Sequence, residues 1–477
     1  MARMSNGRAI GWLAEQAPGA PLITHEGRTV TRTEFHKRTN QLARAYQALG
    51  VGQDDFVTVA LPNGIAFYET CVAAWKLGAT PQPISAKLPV GERRAIIELA
   101  KPALVVGADA AGVEGVTVVA PEFEPDPELD DSDLPDRTAA AYKAPTSGGS
   151  TGRPKIIVSG QRSETDPEAT RMQMRQLVPG PLYHNAPFMF SMASLLCGGQ
   201  LVVMSRFDAE EALQLVDKHR IEYILMVPTM MQRIWRLGDE VRGRYDVSSI
   251  QRILHLAAPC PVWLKEAWID WLGPERILEL YAGTEAQVAT IINGVEWLEH
   301  KGSVGKVQGK GQIRILDEDG NELPPREIGE VFMMPAGGKG STYRYIGAEA
   351  RDRDGWESLG DMGYLDEDGY LYLADRQTDM ILCGGANIYP AEVEAALDAH
   401  PAVRSSAVIG LPHEDLGNAV HAIVDIADAQ VTEADLRASL VDQLAKYKHP
   451  RSYELVREPL RDDAGKVRRS ALRAERI

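Results

Sequence analysis

The sequence predicts an α/β fold: a large N-terminal domain of helix-covered, mostly parallel sheets with a β-rich subdomain, then a small mobile α+β C-terminal domain. Three observations predict it. Amphipathic helix patterns alternate with apolar strand patterns through the first three quarters of the chain, the texture of parallel sheets packed under helices. After about residue 310 the texture changes to strand-like runs joined at Asp-Gly. From Gln377 a further pattern of helices and strands begins, long enough to be a unit of its own. At 477 residues the chain exceeds what one hydrophobic core usually supports, so we divide it into residues 1–376 and 377–477.

The elements follow in order. TRTEFHKRTNQLARAYQALG opens with a capping box, Thr31 and Glu34, carries Phe35, Leu42, Ala43, Tyr46 and Leu49 on one apolar side, and stops at Gly50. FVTVALP reads as a buried strand. Pro121 to Arg137, where acids alternate with prolines, reads as a solvated loop without a function of its own. In FDAEEALQLVDKHRIEYILMVPTMMQRI, Asp208 caps a helix that ends in Lys218, His219 and Arg220, IEYILMV is a strand, and Thr229 caps the next helix. IRILDEDGNELP and GYLDEDGYLYL read as hairpins; neither is a calcium loop, because Ile315 and Tyr364 stand where an acid is required. Pro390 starts a helix with Glu392 and Glu394 in its first turn, SSAVIGL and AVHAIVDI are strands, and TEADLRASLVDQL is a capped helix.

Composition narrows the function classes. Hydrophobic residues at 44% and charged residues at 25% are those of a globular protein. A net charge of -16 repels phosphate backbones and anionic lipid, so neither nucleic acid nor a membrane surface is the expected partner. The four cysteines, Cys71, Cys197, Cys260 and Cys383, have no ligand spacing and fit a reducing compartment. With no signal-peptide pattern and no membrane span, the expected location is the cytoplasm.

The chemistry centres on TSGGSTGRPK, Thr146 to Lys155. It is not a Walker A loop, since Arg153 and Pro154 intervene where Gly-Lys is required. Gly148 to Gly152 satisfies GxSxG, yet the strand-like RPKIIV that follows is not the helix a nucleophile elbow needs. Locally, a linker and a cradle of N–H groups, hydroxyls and a lysine for phosphates are equally good readings. Further motifs decide between them: YAGTE (Tyr281 to Glu285), GDMGYLD (Gly360 to Asp366) before Asp375-Arg376, GGANIYPAEVE (Gly384 to Glu394) and GKVRR (Gly465 to Arg469).

In this order, over nearly the whole chain, the motifs resemble the adenylate-forming superfamily of acyl-CoA synthetases, luciferases and peptide-synthetase adenylation domains. PLYHNAPF (Pro181 to Phe188) and HLAAPCP (His255 to Pro261) are most similar to bacterial fatty-acyl and related acid-CoA ligases. The resemblance implies that a carboxylate attacks the α-phosphate of MgATP, pyrophosphate leaves, and the acyl-AMP passes its acyl group to a nucleophile. It implies that Ser147, Gly149, Ser150, Thr151, Gly152 and Lys155 belong to a loop that folds over the phosphates. Thr284 would touch the α-phosphate and Glu285 would hold Mg²⁺. Ala257, Ala258 and Pro259 with Tyr281 would bracket adenine, Asp361 would accept from the ribose hydroxyls, and Arg376 would add a positive contact.

Lys466 would bridge the substrate carboxylate and the α-phosphate, charge neutralisation being what the step needs most. His184 lies in the segment that lines the acyl pocket, as a base or as a packed histidine. Phe188, Phe190, Met192 and Gly283 would form an apolar pocket for an aliphatic or aromatic acid, and Gly384 and Gly385 a face for the second substrate. The family's hinge position holds Thr378 instead of Asp or Lys, which puts in doubt the balance of the two half-reactions. CoA is the expected acceptor and an amine the alternative; an acidic surface neither requires nor excludes a carrier protein. A GxSxG hydrolase and a catalytically inactive binding protein are the readings from other classes.

Overall fold

The structure, a computed structural model, describes residues 3–148, 154–169, 173–376, 379–384, 386–427, 430–441, 443–462 and 465–477. Parallel strands run through its centre in the spatial order Ile277–Ala282, Arg252–Leu256, Tyr223–Met226, Gln176–Val178, Leu201–Val203 and Pro21–His25. They are apolar almost throughout because helices cover both faces. Val178, Leu201 and Val203 pack with Phe35, Trp75 and Phe188 on one side; the alternate residues Leu177 and Val202 pack with Leu213, Met231 and Trp268 on the other.

Beyond Ile277–Ala282 the same sheet turns antiparallel, through Ala289–Asn293, Ser303–Val307, Leu371–Arg376, Trp356–Leu365, Gly329–Met334 and Gln312–Leu316. The β-rich part thus shares a sheet with the parallel part. Phe56–Val59, the strand expected in FVTVALP, lies in a second, parallel sheet with Thr80–Pro83, Leu104–Val106 and Thr117–Val119. Thr146–Gly148, Pro154–Ser159 and Tyr343–Ile346 form an antiparallel sheet. At the C-terminus, strands Ile381–Cys383, Ala386–Ile388, Val403–His413, Gly417–Ile426 and Ser452–Val456 pack with helices Pro390–Asp398 and Glu433–Leu440 around Val393, Leu397, Val408 and Leu436.

Local signals largely hold. Thr31 and Glu34 make a capping box, as do Thr432 and Asp435, and Asp208 accepts from Glu210 and Glu211. Four readings change. Thr229 is not a cap: the helix starts at Pro228, whose fixed φ suits the first helical position, and Val227 precedes it. Leu49 follows the helix end and is exposed rather than part of the apolar side.

DEDG at 317–320 joins to NELP through one bridge, Leu316 to Glu322; the strand that pairs with Gln312–Leu316 is Gly329–Met334. Glu394 lies beyond the first turn of its helix and is buried. The acidic tract is largely exposed, as expected, and Asp130, Asp131, Asp133 and Glu124 pair with Arg44, Lys37, His36 and Arg38 along the helix Arg32–Ala48. Among the described residues no helix is long and apolar enough to cross a membrane.

Candidate active site

Met226, Leu256 and Ala282 end neighbouring parallel strands on one edge of the sheet, where open α/β sheets bind ligands. Ala257, Ala258 and Pro259 follow the second of these strands, and Gly283, Thr284 and Glu285 follow the third. The backbone bends sharply there: Ala257 has φ 72 and Ala286 φ 53, left-handed values that side-chain-bearing residues adopt only when their surroundings enforce them. Ala257 and Pro259 are exposed, Ala258 and Thr284 half-buried, and Glu285 buried.

The Glu285 carboxylate is held in place. Lys155 Nζ donates to its Oε1 at 3.2 Å, and the Tyr345 hydroxyl donates to the same oxygen at 2.5 Å. Lys155 Nζ also donates to the Tyr345 hydroxyl at 2.9 Å. Tyr345 pairs with Ile157, so Lys155, two residues along that strand, projects to the same side. Burial and the charge of Glu285 push the Tyr345 phenol far up, which keeps it a donor. At Gly283 a Cβ would collide with Leu359 and stand 3.0 Å from Glu285 Oε2, so glycine is what lets Leu359 pack beside the carboxylate.

The Tyr281 hydroxyl donates to Asp361 Oδ2 at 2.6 Å, and Asp361 is in register with Arg376 on the adjacent strand. Two motifs far apart in sequence thus meet. His184 precedes the helix Asn185–Leu196 without capping it, its ring 4.4 Å from that of Tyr183. Phe188 and Met192 are fully buried in the core beside Trp75, Tyr142 and Phe67, which counts against them as pocket walls. Phe190 faces the other way, against Leu225, Leu254 and Leu256, two of which lie at or next to the strand ends that carry the site.

Lys466 is exposed on a turn closed by Asp462 N–H to Lys466 O at 3.0 Å and Lys466 N–H to Asp462 Oδ1 at 2.9 Å. Gly465 in that turn is buried with φ 75, and a Cβ on it would lie 2.8 Å from Thr229 Oγ1. The turn therefore rests against the Val227–Thr229 edge of the large sheet. Arg461 holds it from below, donating to Glu394 Oε2 at 2.9 Å and to Ser406 O at 3.0 Å, while Arg469 donates to Glu394 and Asp379. Burial raises the Glu394 carboxyl, but Arg469 and Arg461 outweigh it and hold the group below its usual range.

Gly384, φ 58, lies in the turn between Ile381–Cys383 and Ala386–Ile388 and packs on Leu416 of the same unit. Ser147 and Arg376 occupy strand positions. Gly149, Ser150, Thr151, Gly152, Thr378 and Gly385 lie outside the described residues.

Two residues near the site escape the sequence reading. Tyr345 is 190 positions from Lys155 and belongs to no motif, so nothing local marks it. Lys143 left a signal: it stands in AAAYKAP, a lysine among apolar residues just before Thr146. It is buried, its ammonium donates to Asn185 Oδ1, and burial, opposed by Glu285, pulls it down to about 7.

Comparison with known proteins matches this arrangement. The AMP-binding enzyme pattern covers residues 11–337, and the AMP-binding enzyme C-terminal domain covers residues 392–466. The chain belongs to the AMP-binding enzyme family. It is an adenylate-forming ligase. A feruloyl-CoA synthase from Amycolatopsis sp is 32% identical over 492 residues, covering 96% of each chain. The o-succinylbenzoate CoA synthetase of Bacillus subtilis, solved with its acyl-adenylate intermediate, superposes with a TM-score of 0.82 at 25% identity over 99% of this ligase and 98% of that chain. An amide bond synthetase from Marinactinospora thermotolerans, at 24% identity and a TM-score of 0.80 over 98% and 100% of the two chains, shares the fold.

Proposed function

We propose that this ligase activates an apolar or aromatic carboxylic acid as its acyl-adenylate and passes the acyl group to the thiol of CoA. The observation that carries the first step is the seating of the Lys466 turn on the sheet edge from which Thr284, Glu285 and Ala257–Pro259 project. Likeness to a feruloyl-CoA synthase supports CoA as acceptor and an aromatic acid as substrate. We take the division at 376/377, between strand Leu371–Arg376 and strand Ile381–Cys383, as the joint between the two domains.

In this reading Asp361, oriented by Tyr281, accepts from the ribose hydroxyls, Arg376 adds a positive contact, and Ala257, Ala258 and Pro259 flank adenine. Thr284 donates to the α-phosphate, and the segment Ser147–Lys155 covers the remaining phosphates. Glu285 suits Mg²⁺, being a buried carboxylate, an oxygen donor of the kind that ion takes. Bound there, the ion supplies charge neutralisation for the phosphates. Lys466 brings its ammonium to the carboxylate and the α-phosphate together. His184 then stands near the acyl group as a base for the incoming thiol, and Gly384 and Gly385 present the second-substrate face after a turn at Thr378.

The test is AMP release from MgATP with ferulate, 4-coumarate, benzoate and octanoate, adding CoA or a simple amine. Stimulation by CoA is expected. Stimulation by the amine alone would move the protein to amide synthesis, and no acid-dependent AMP release with any acid would sink the reading.

A further inference from the structure

Lys143 has no part in the scheme above, and its surroundings are unusual for a lysine. It is 4% exposed. Its carbonyl accepts from Ser159 N–H at 3.0 Å, and the next amide, Ala144 N–H, donates to Pro81 O at 3.0 Å. The backbone is thereby tied to two sheets, and the side chain lies in the interior between them.

Its ammonium donates to Asn185 Oδ1, the first residue of the helix Asn185–Leu196. An ammonium has three donors, and among the described residues this neutral amide oxygen is its partner. A buried cation is costly unless a negative charge compensates it. Glu285 attracts Lys143, yet its Oε1 is already taken by Lys155 and Tyr345. Glu285 thus acts on Lys143 only through space, and Lys143 lies beside a helix whose leading amides receive no side-chain cap. A buried ammonium with one neutral partner has donors to spare, and an anion bound there would keep it charged.

We propose that Lys143 binds the carboxylate of the acid substrate, with Asn185 aiming its ammonium; this rests on the adenylating function proposed above. The acid fits better than a phosphate because Asn185 belongs to PLYHNAPF, the segment assigned to the acyl pocket, whereas the phosphates have Thr284, Lys155 and the 146–155 segment. Lys466 arrives with the C-terminal domain; Lys143 is resident in the large one. It can therefore hold the acid before the domains close.

The experiment is pyrophosphate–ATP exchange with whichever of ferulate, 4-coumarate, benzoate and octanoate the wild type uses best, with that acid's primary carboxamide as inhibitor. Lys143→Met should raise KM for the acid at least about tenfold while KM for ATP changes less than about twofold, the split expected when one ground-state contact is lost. Wild type should bind the carboxylate in preference to the carboxamide, and the variant should lose that preference. Lys143→Arg should recover part of the acid KM, and Asn185→Ala should raise it alone. These two variants carry the same test if Lys143→Met does not fold. An unchanged acid KM, or acid and ATP KM rising together, overturns the role of Lys143. A wild type with no exchange on any acid would instead remove the function on which it rests.

Discussion

A tyrosine hydroxyl 2.6 Å from a carboxylate fixes one residue of the site more firmly than any motif does. Tyr281 and Asp361 come from different strands, and their bond fixes the Asp361 carboxylate through Oδ2. Tyr281→Phe removes a hydrogen bond to a charged acceptor, of order 1.5–3 kcal/mol. If Asp361 serves the ribose, KM for ATP should rise about tenfold with the acid KM little changed; an unaltered ATP KM would detach this pair from the nucleotide. The types of residue here were legible in sequence, since Thr284, Glu285 and Asp361 stand in recognisable motifs. The hydrogen bonds were not. Tyr345 holds Glu285 from 60 positions away, and Phe188 and Met192 belong to the core rather than a pocket because their helix turns that face toward Trp75 and Tyr142.

At the scale of elements, one of the strands that carry the site is tied to a covering helix by a buried ion pair. Lys265, fully buried in the helix Val262–Leu272, lies 2.5 Å from Glu279 Oε2 in strand Ile277–Ala282, and Glu279 is in register with His255 of strand Arg252–Leu256. Ala257 and Tyr281 sit two positions beyond His255 and Glu279. Lys265→Met leaves Glu279 buried and unpaired, at a cost of about 3–5 kcal/mol, while Lys265→Met with Glu279→Leu should regain most of that stability. Urea midpoints read the difference; a single variant as stable as wild type would show that the pair does not tie the strand to the helix. Helix starts such as Thr31, Asp208 and Thr432 were legible because a cap acts within one turn. Thr229 misled because Pro228 offers a competing start, and the partner of Gln312–Leu316 misled because strand pairing is a long-range choice that an Asp-Gly turn only suggests.

For the whole molecule, what matters is where the C-terminal domain sits. Gly465, with φ 75 and no room for a side chain beside Thr229, lets the Lys466 turn seat on the large sheet. Gly465→Val should keep it off. Acid-dependent pyrophosphate–ATP exchange should then fall at least about tenfold, while acyl transfer to CoA from supplied acyl-AMP changes less than about twofold, because in the scheme proposed above only the first half-reaction uses the lysine there. Equal loss of both would mean that the domain itself has been damaged. The sequence by itself determined the α/β class, the helix caps and the order of the motifs that mark an adenylate-forming ligase, since these rest on period, turn chemistry and spacing, all local properties. Tertiary structure alone decided that Lys155, Tyr345 and Glu285 meet, that Lys143 lies buried against Asn185, that Arg461 and Arg469 close on Glu394, and that Gly465 seats beside Val227 and Thr229. Each of those contacts joins residues brought together by packing two or more elements, and the free energy that selects them comes from burying the whole set at once rather than from any stretch of chain.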